Sequence, residues 1–369
     1  MKILHVIPSM EMGGAETLAI NLASAQRSLG HDTGVCCVMS PPEAGALFQK
    51  ARENGLSMYY AFSKHEPHVL SSIHMSRLFR KIGPDVIQSH LPRANSCAAL
   101  SARLAGIKCV IGTFHNSVIW KNKTQQKWGR RTAHIQDGLF CDSELMRRNL
   151  LEKCASASEK TRVLYPGVPP APPRAERTEI EEFRKKWGVS EDDRVIGIIS
   201  RLAEVKDHFT FIDAADRMLK RKPRLKFLIA GSGPLKDKIV DYIREKNRSR
   251  DIHVLGFVPK LDVVWSLLDV FVLTSRSEGF PVSVLEAFNA GIPVVATRVG
   301  GIPEMITSGK EGYLAEPGDP ESVAEQTLHI LSNEEIRRSM KQNCRNTAKR
   351  FHIDRIAETS IKFYRELSR

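Results

Sequence analysis

The chain has 369 residues, of which 42% are hydrophobic, and a formal net charge of +13 at pH 7. This length exceeds what one small core accommodates and predicts two α/β domains. No stretch reaches about 18 consecutive apolar residues, which excludes a transmembrane helix, and the apolar start Met1–Pro8 is too short for a signal peptide. We therefore expect a cytoplasmic protein, either soluble or peripheral on the inner face of the membrane.

The positive charge is concentrated in the first half. Residues 1–174 carry a net charge of +10 and the remainder carries +3. This asymmetry indicates an anionic partner for the first half. A membrane surface, a lipid-linked phosphate and nucleic acid are all compatible, and the membrane ranks first because few aromatic residues lie between the basic ones and no nucleic-acid-binding module is recognisable. Seven cysteines without a repeated C-x-x-C spacing predict reduced, buried thiols and neither disulfides nor a zinc site.

Taken in chain order, the first half alternates apolar runs with amphipathic stretches, which is the pattern of parallel β-α-β units. A helix is predicted at Ala15–Leu29, where Leu18, Leu22 and Leu29 share one face. The predicted strands are Lys2–Ile7, Thr33–Val38, Val86–Gln88, Cys109–Thr113 and Gly138–Cys141.

A proline-rich segment separates the two halves. Residues 166–173 contain five prolines, which block helices and sheet ladders and mark a linker. The predicted domains are residues 1–170 and 171–352, both Rossmann-like and facing each other across a central cleft that holds the ligand. Residues 353–367 form a terminal amphipathic helix, predicted to pack back on the first domain. The second series of strands is Val195–Ser200, Leu225–Ala230, His253–Leu255, Asp269–Thr274 and Val294–Ala296.

The first predicted strand leads directly into Gly13, Gly14 and Glu16. The dinucleotide fingerprint G-x-G-x-x-G is absent, so the two glycines indicate a phosphate or substrate close to a helix N-terminus, with a plain tight turn as the alternative. His115 follows a predicted strand end and is expected to face the ligand, although a lone histidine is more often structural. His90 has a similar but weaker claim.

Two cations, Arg201 and Lys206, follow the first strand of the second half. A guanidinium fork and an ammonium point charge together suit a diphosphate, and their interaction strengthens if that diphosphate is a leaving group. Ordinary surface cations are the alternative. Two further turns follow predicted strands. The first consists of the small residues Gly231, Ser232 and Gly233 and lets backbone amides approach a phosphate. The second consists of Gly256, Phe257 and Val258 and presents an aromatic edge to a base.

Two carboxylates, Glu278 and Glu286, lie eight residues apart around a Gly-Phe-Pro turn. Glu278 is predicted in the loop after a buried strand, and Glu286 about two turns into the helix Val282–Ala290. Ionised carboxylates only accept hydrogen bonds, and vicinal sugar hydroxyls offer two donors. Gly279 lets the backbone approach a ligand, and the N–H groups after Pro281 can meet an anion. An ordinary solvated helix face is the alternative.

These segments together resemble glycosyltransferase family 4. The resemblance covers nearly the whole chain, is densest at residues 195–306, and includes the E-x7-E pattern of Glu278 and Glu286. It implies the GT-B fold, a nucleotide-sugar donor and retention of anomeric configuration. It also implies that neither a catalytic metal nor another cofactor is needed, and no D-x-D pattern lies near a strand end.

The resemblance also assigns roles to individual residues. Glu286 binds the ribose hydroxyls, and Glu278 with the backbone of Gly279 and Phe280 holds the donor sugar. The diphosphate is bound by Arg201 and Lys206 with help from Gly13 and Gly14, while His115 lies against the donor sugar. The base is bordered by Gly256, Phe257 and Val258. Asp207 departs from the family pattern, since many relatives have glycine after the lysine.

The predicted function is transfer of a hexosyl group from a nucleotide sugar to a hydroxyl of a glycan or lipid-linked acceptor. A UDP-sugar is the first choice of donor and GDP-mannose the second. The alternatives are a nucleotide-sugar epimerase of GT-B shape and a non-catalytic nucleotide-sugar-binding subunit of a partner transferase. Loops of the first domain are expected to bind the acceptor, with weak candidates at Glu16, His90, Lys121, Lys127 and Arg130.

Overall fold

The structure is a computed structural model that describes residues 1–11, 13–61, 69–115, 123–170 and 175–368. Two predicted features, Lys121 and the linker residues 171–173, lie outside these ranges. The chain divides into two compact units, the first comprising Met1–Pro169 and Phe351–Arg369 and the second Pro170–Arg350. No helix within the described ranges is long and apolar enough to span a bilayer.

The described residues of the first unit form a seven-stranded parallel sheet in the order β3-β2-β1-β4-β5-β6-β7. The order reverses between β1 and β4, which pair directly. The strands are β1 (Lys2–Ile7), β2 (Asp32–Cys37), β3 (Ser57–Tyr60), β4 (Val86–His90), β5 (Cys109–Phe114), β6 (Gly138–Cys141) and β7 (Thr161–Val163). The helices are α1 (Gly14–Ser28), α2 (Phe48–Glu53), α3 (Val69–Ile82), α4 (Leu91–Ala105), α5 (Lys123–Ile135) and α6 (Glu144–Lys153).

The described residues of the second unit form a six-stranded parallel sheet in the order β10-β9-β8-β11-β12-β13, which reverses between β8 and β11. The strands are β8 (Arg194–Ile199), β9 (Leu225–Ala230), β10 (Ile252–Gly256), β11 (Val270–Leu273), β12 (Val294–Thr297) and β13 (Gly312–Ala315). The helices are α7 (Arg177–Trp187), α8 (His208–Arg221), α9 (Lys236–Glu245), α10 (Asp262–Leu267), α11 (Val282–Ala290), α12 (Ile302–Met305), α13 (Pro320–Ser332) and α14 (Glu334–Ala348).

The last helix, α15 (Ile353–Leu367), belongs to the first unit. Its buried side chains, among them Ile356 and Tyr364, pack in one cluster with Ile3 of β1, Leu22 of α1 and Phe140 of β6. An amphipathic helix buries its apolar stripe in this way, and the spacing of these apolar residues is what predicted a helix over residues 353–367.

Three strands escape the sequence pattern: β3, β7 and β13. Each is only three or four residues long and lies at a sheet edge, where a buried apolar run is not required. β4 is longer than predicted and extends through three buried polar residues to His90. All seven cysteines are free and buried, as the sequence predicted.

Candidate active site

The reversal of strand order in the second unit brings Lys206 and Glu278 together. Lys206 ends a short 3-10 turn after β8, and Glu278 lies in the loop after β11. Lys206 Nζ is 2.5 Å from Glu278 Oε1, and the hydroxyl of Ser275 donates to the same oxygen at 2.5 Å. The two side chains are 20% and 10% exposed. Parallel sheets bind ligands at such a reversal, because the loops diverge there and leave a crevice.

Hydrogen bonds fix the two loops to each other. Thr274 at the end of β11 donates its hydroxyl to the carbonyls of Lys206 at 3.2 Å and Asp207 at 2.9 Å. The amide of Arg276 donates to the carbonyl of Val205 at 2.8 Å. The positions of Lys206 and Glu278 are therefore set by backbone and buried hydroxyl contacts, and not by their own ion pair alone.

A third loop, after β12, supports the peptide that carries Glu278. The amide of Gly301 donates to the carbonyl of Gly279 at 2.7 Å. Gly300 has φ +58, and a Cβ at this position would lie 2.0 Å from the carbonyl oxygen of Glu278. Only glycine permits this approach.

Asp207, the departure from the family pattern, adopts a left-handed conformation with φ 47 and ψ 56. Its carboxylate accepts from the amide of Thr210 at 3.4 Å, which caps α8, from the hydroxyl of Thr210 at 2.9 Å, and from Nε of Arg276 at 2.9 Å. Aspartate tolerates this conformation better than most residues because its short polar side chain bonds locally. The loop therefore keeps a shape that glycine adopts easily.

The turns after β8, β9 and β10 are joined in the same manner. The amide of Gly231 donates to the carbonyl of Gly256 at 2.8 Å, and that of Leu202 donates to the carbonyl of Ser232 at 2.9 Å. A Cβ on Gly231 would meet the carbonyl oxygen of Ser200 at 1.9 Å, so the two backbones touch. Beyond β10, Phe257 is 56% exposed.

Histidines dominate the corresponding region of the first unit. His5 of β1, His90 at the end of β4 and His115 after β5 form a row in which consecutive rings are 5.3 Å apart and inclined by 23° and 14°. His5 Nδ1 is 3.0 Å from His90 Nε2, and His90 Nδ1 is 3.0 Å from His115 Nε2. Burial lowers the pKa of His5 and of His115 to about 4 and that of His90 well below its usual range, so all three are neutral at pH 7.

The first helix begins at Gly14, one residue before the predicted start at Ala15, so the second of the paired glycines lies in its first turn. Gly13 precedes α1 in an extended conformation, and the carboxylate of Glu16 folds over it, since a Cβ on Gly13 would lie 2.3 Å from Glu16 Oε2. Burial raises the pKa of Glu16. This loop follows β1 at the point where the strand order reverses.

In comparisons with known proteins, residues 179–347 match the family model described as "Glycosyl transferases group 1". Residues 12–171 match the model described as "Glycosyltransferase Family 4". The chain belongs to glycosyltransferase family 4.

Two relatives of this family 4 chain carry the names of specific enzymes. The chain is 25% identical to the UDP-Gal:alpha-D-GlcNAc-diphosphoundecaprenol alpha-1,3-galactosyltransferase of Escherichia coli, over 94% of this chain and 92% of that enzyme. It is 29% identical to the N-acetyl-alpha-D-glucosaminyl L-malate synthase of Bacillus anthracis, and that match spans about half of each protein, 52% of this chain and 51% of the synthase.

Among solved structures, HepE of Anabaena in complex with UDP is similar with a TM-score of 0.86 and 20% identity, covering 98% of this chain and 99% of HepE. HepE has also been solved with UDP-glucose. This likeness shows the fold of the family 4 chain, which is GT-B.

The structure brings some predicted site residues together and leaves others apart. Lys206 and Glu278 touch, whereas Arg201 is exposed and forms no ion pair with a described residue. Glu286 is half-buried on α11, and Phe280 and Pro281 before it are buried. Lys127 and Arg130 are exposed on α5.

The prediction that His90 contacts an acceptor needs correction. His90 is 2% exposed, and both of its ring nitrogens are occupied by neighbouring histidines. It therefore holds His115 in place and is not free to bind another molecule. Likewise, His115 is not the lone histidine that the sequence suggested.

Several residues of the first unit escaped sequence reasoning although they connect to His115. They share one signal, a polar side chain inside an otherwise apolar strand or helix face, which requires a buried partner. These residues are His5, Gln26, Gln88, Ser360 and Tyr364.

Proposed function

We propose that the protein transfers a sugar from a UDP-sugar to a hydroxyl of a glycan or lipid-linked acceptor, with retention of anomeric configuration. The observation that carries the proposal is the Lys206–Glu278 contact at the strand reversal of the second unit. The UDP and UDP-glucose complexes of HepE and the UDP-Gal donor in the name of the E. coli relative support the choice of UDP.

The Lys206–Glu278 pair suggests how the donor enters. Each group neutralises the other in a site with little exposure. A diphosphate replaces Glu278 as the counter-ion of Lys206, and the released carboxylate accepts hydrogen bonds from sugar hydroxyls. Lys206 then binds the diphosphate and Glu278 binds the sugar, so the two groups hold the donor on either side of the bond that breaks. Neither charged group is left without a partner, and an unpaired charge in a desolvated site would be costly.

The remaining predicted residues complete this donor site. Arg201 contacts the diphosphate, Glu286 binds ribose hydroxyls, and Phe257 borders the base. The small-residue turn at 231–233 and the amides after Pro281 line the phosphate path. In this proposal the two cations supply the charge that a metal ion supplies in other transferases, and no cofactor is required.

The reaction proceeds on one face of the sugar. The bond between the anomeric carbon and the diphosphate oxygen breaks, and the acceptor hydroxyl forms its bond to the same face of that carbon. The departing phosphate oxygen takes the acceptor proton, so UDP leaves and no protein base is needed. Lys206 and Arg201 act because negative charge grows on the leaving diphosphate as the bond breaks.

The test is acceptor-dependent release of nucleotide. Purified protein is mixed with UDP-, GDP- and ADP-sugars, with and without lipid extract, and nucleotide release is followed. Lys206→Ala and Arg201→Ala are each expected to lower kcat by about 10²–10³-fold, as removal of one transition-state donor does. The matched control is Lys238→Ala, which removes an exposed lysine of α9.

Each other result has a clear meaning. Near-normal turnover in Lys206→Ala and Arg201→Ala contradicts the assignment of these cations. Consumption of donor without any acceptor identifies an epimerase, and nucleotide-sugar binding without consumption under any condition identifies a binding subunit.

The acceptor side of the proposal rests on charge. Lys127 and Arg130 lie exposed on α5, in the half of the chain that carries most of the net charge. We propose that this helix holds the protein on an anionic cytoplasmic membrane surface, where lipid-linked acceptors reside. Binding to anionic liposomes should be released by high salt, because salt screens exposed charges. Binding that persists in high salt indicates hydrophobic insertion instead.

A further inference from the structure

A continuous chain of buried hydrogen bonds links His115 to the terminal helix. We call it the histidine relay and define it as His115, His90, His5 and Gln26, whose amide ends on the terminal helix. After the two contacts between histidines, His5 Nε2 lies 2.8 Å from Gln26 Oε1, and Gln26 Nε2 lies 2.9 Å from Ser360 Oγ. His5, Gln26 and Ser360 are completely buried. These three side chains are therefore shielded from water.

The orientation of the Gln26 amide follows from its neighbours. The hydroxyl of Ser360 donates its single hydrogen to the carbonyl of Ala357 at 2.7 Å, and the hydroxyl of Tyr364 donates to Gln88 Oε1. Both hydroxyls can then only accept from Gln26, and its NH₂ group has one hydrogen for each, at 2.9 and 3.0 Å. The carbonyl oxygen of Gln26 must therefore face His5.

That carbonyl determines the tautomer of every histidine in the relay. Facing an acceptor, His5 Nε2 carries the hydrogen, and in a neutral ring Nδ1 is then bare. His90 must donate to this bare nitrogen from Nε2, which leaves its own Nδ1 bare. His115 in turn must donate from Nε2 to His90. All hydrogen bonds of the relay thus point the same way, from His115 towards the terminal helix.

The outcome is a bare nitrogen at the open end. His115 Nδ1 is buried and has no hydrogen-bond partner among the described residues. His115 and His90 line a mostly apolar pocket of the first unit that also reaches Gln88 and the terminal helix, whereas His5 and Gln26 do not line it. A neutral imidazole that donates through one nitrogen becomes a better acceptor at the other, and aligned hydrogen bonds strengthen one another.

We propose that Gln26, His5 and His90 are positioning residues that fix His115 as the Nε2–H tautomer, so that its Nδ1 accepts a hydrogen bond from a sugar hydroxyl in this pocket of the first unit. The proposal rests on the proposed function for the identity of the ligand. The tautomer itself follows from the geometry alone. With the opposite polarity His115 would present an N–H group, which could serve a carbonyl or phosphate oxygen but could not accept a hydrogen bond from a sugar hydroxyl.

The polarity can be read directly by NMR of the full chain labelled with ¹⁵N-histidine, because protonated and bare ring nitrogens have distinct shifts. Signals are assigned with His115→Gln, His90→Gln and His5→Gln. At pH 7 we expect all three relay histidines to be protonated at Nε2 and bare at Nδ1. Protonation of His115 at Nδ1 overturns the proposal, and this measurement needs no substrate.

The matched variants are Gln26→Met and Ser360→Ala. Gln26→Met keeps the volume of the side chain but removes the carbonyl, so we expect mixed tautomers at His5, His90 and His115. Ser360→Ala leaves Tyr364 to hold the amide and should preserve the tautomers. Identical tautomers in Gln26→Met and wild type contradict the role of Gln26.

Turnover measurements separate the two parts of the proposal, the polarity of the relay and the contact of His115 with the sugar. With a UDP-sugar that the wild type consumes, Gln26→Met should lower kcat/KM at least tenfold while Ser360→Ala stays near wild type. That UDP-sugar should also shift the Nδ1 signal of His115, and UDP alone should not. A fixed tautomer without these effects overturns the sugar contact and leaves the polarity intact. If no nucleotide sugar is consumed, the proposed function fails while the tautomer measurement still decides the polarity.

Discussion

Gly300→Ala tests whether the loop after β12 positions Glu278. Gly300 has φ +58, and its new Cβ would lie 2.0 Å from the carbonyl oxygen of Glu278 and 2.7 Å from the carbonyl carbon. Both are backbone atoms, so no side chain can rotate away to relieve the contact. The peptide that carries Glu278 must move instead.

The expected effect of Gly300→Ala on stability and turnover has two sources. A residue with a Cβ in the left-handed region costs about 1–2 kcal/mol relative to glycine. The clash adds a displacement of about 1 Å before the atoms reach tolerable distances, and a misplacement of that size can lower a rate by about 10²-fold. We therefore expect Gly300→Ala to lose more than the conformational cost in stability and about 10²-fold in kcat/KM.

Gly309→Ala is the matched control. Gly309 has φ +85, also left-handed, but no atom lies within 4 Å of a Cβ built there. This variant should lose only the conformational cost and keep its turnover. The free energy of unfolding from urea titration and kcat/KM for nucleotide release are measured for both variants. Equal stability and equal turnover in the two would refute the claim that the Gly300 loop holds Glu278.

Two further predictions concern stability. Burial lowers the pKa of His5 from 6.5 to about 4, so between these values the unfolded state binds the extra proton and stability is lost as the pH falls. Between pH 7 and pH 5, protonation of His5 in the unfolded state should lower the free energy of unfolding of the wild type by about 2 kcal/mol. The His5→Asn variant should lose less stability over the same range. Equal losses in the variant and the wild type would contradict the assignment of this pH dependence to His5. Asp207→Gly should cost only a few tenths of a kcal/mol in the free energy of unfolding, because glycine is itself a good N-cap residue. Turnover should stay within a few-fold, since glycine adopts the same backbone conformation; a large loss of turnover would show that the Asp207–Arg276 contact shapes the site.

The residues of the second unit's site could be located from the sequence for a physical reason. In a parallel sheet the loops that follow the strands emerge at one edge, and ligands bind where the strand order reverses. Arg201, Lys206 and Glu278 each follow an apolar run that is long enough to read as a buried strand. Their common edge was therefore predictable, although the strand order itself was not.

The contact between Lys206 and Glu278 could not be predicted in the same way. It depends on β8 and β11 being neighbours, and these strands are separated in sequence by β9 and β10. It also depends on the buried hydroxyls of Thr274 and Ser275, which the sequence displays only as two ordinary residues after a strand. The two charged residues could be identified from the sequence, whereas the distance between them is determined by the order of the strands in the sheet.

The histidine relay is the feature that the sequence could predict least. Gln26 and Ser360 are 334 positions apart, and their contact exists because α15 returns to pack on the first unit. The direction of every proton in the relay follows from two hydroxyls of that helix, those of Ser360 and Tyr364, which donate elsewhere and so can only accept from Gln26. A sequence can show that buried polar residues need partners. In this proposal the last helix of the chain decides which nitrogen of His115 is left bare, because a packing change that released the Gln26 amide from both hydroxyls would also release the tautomer of His115.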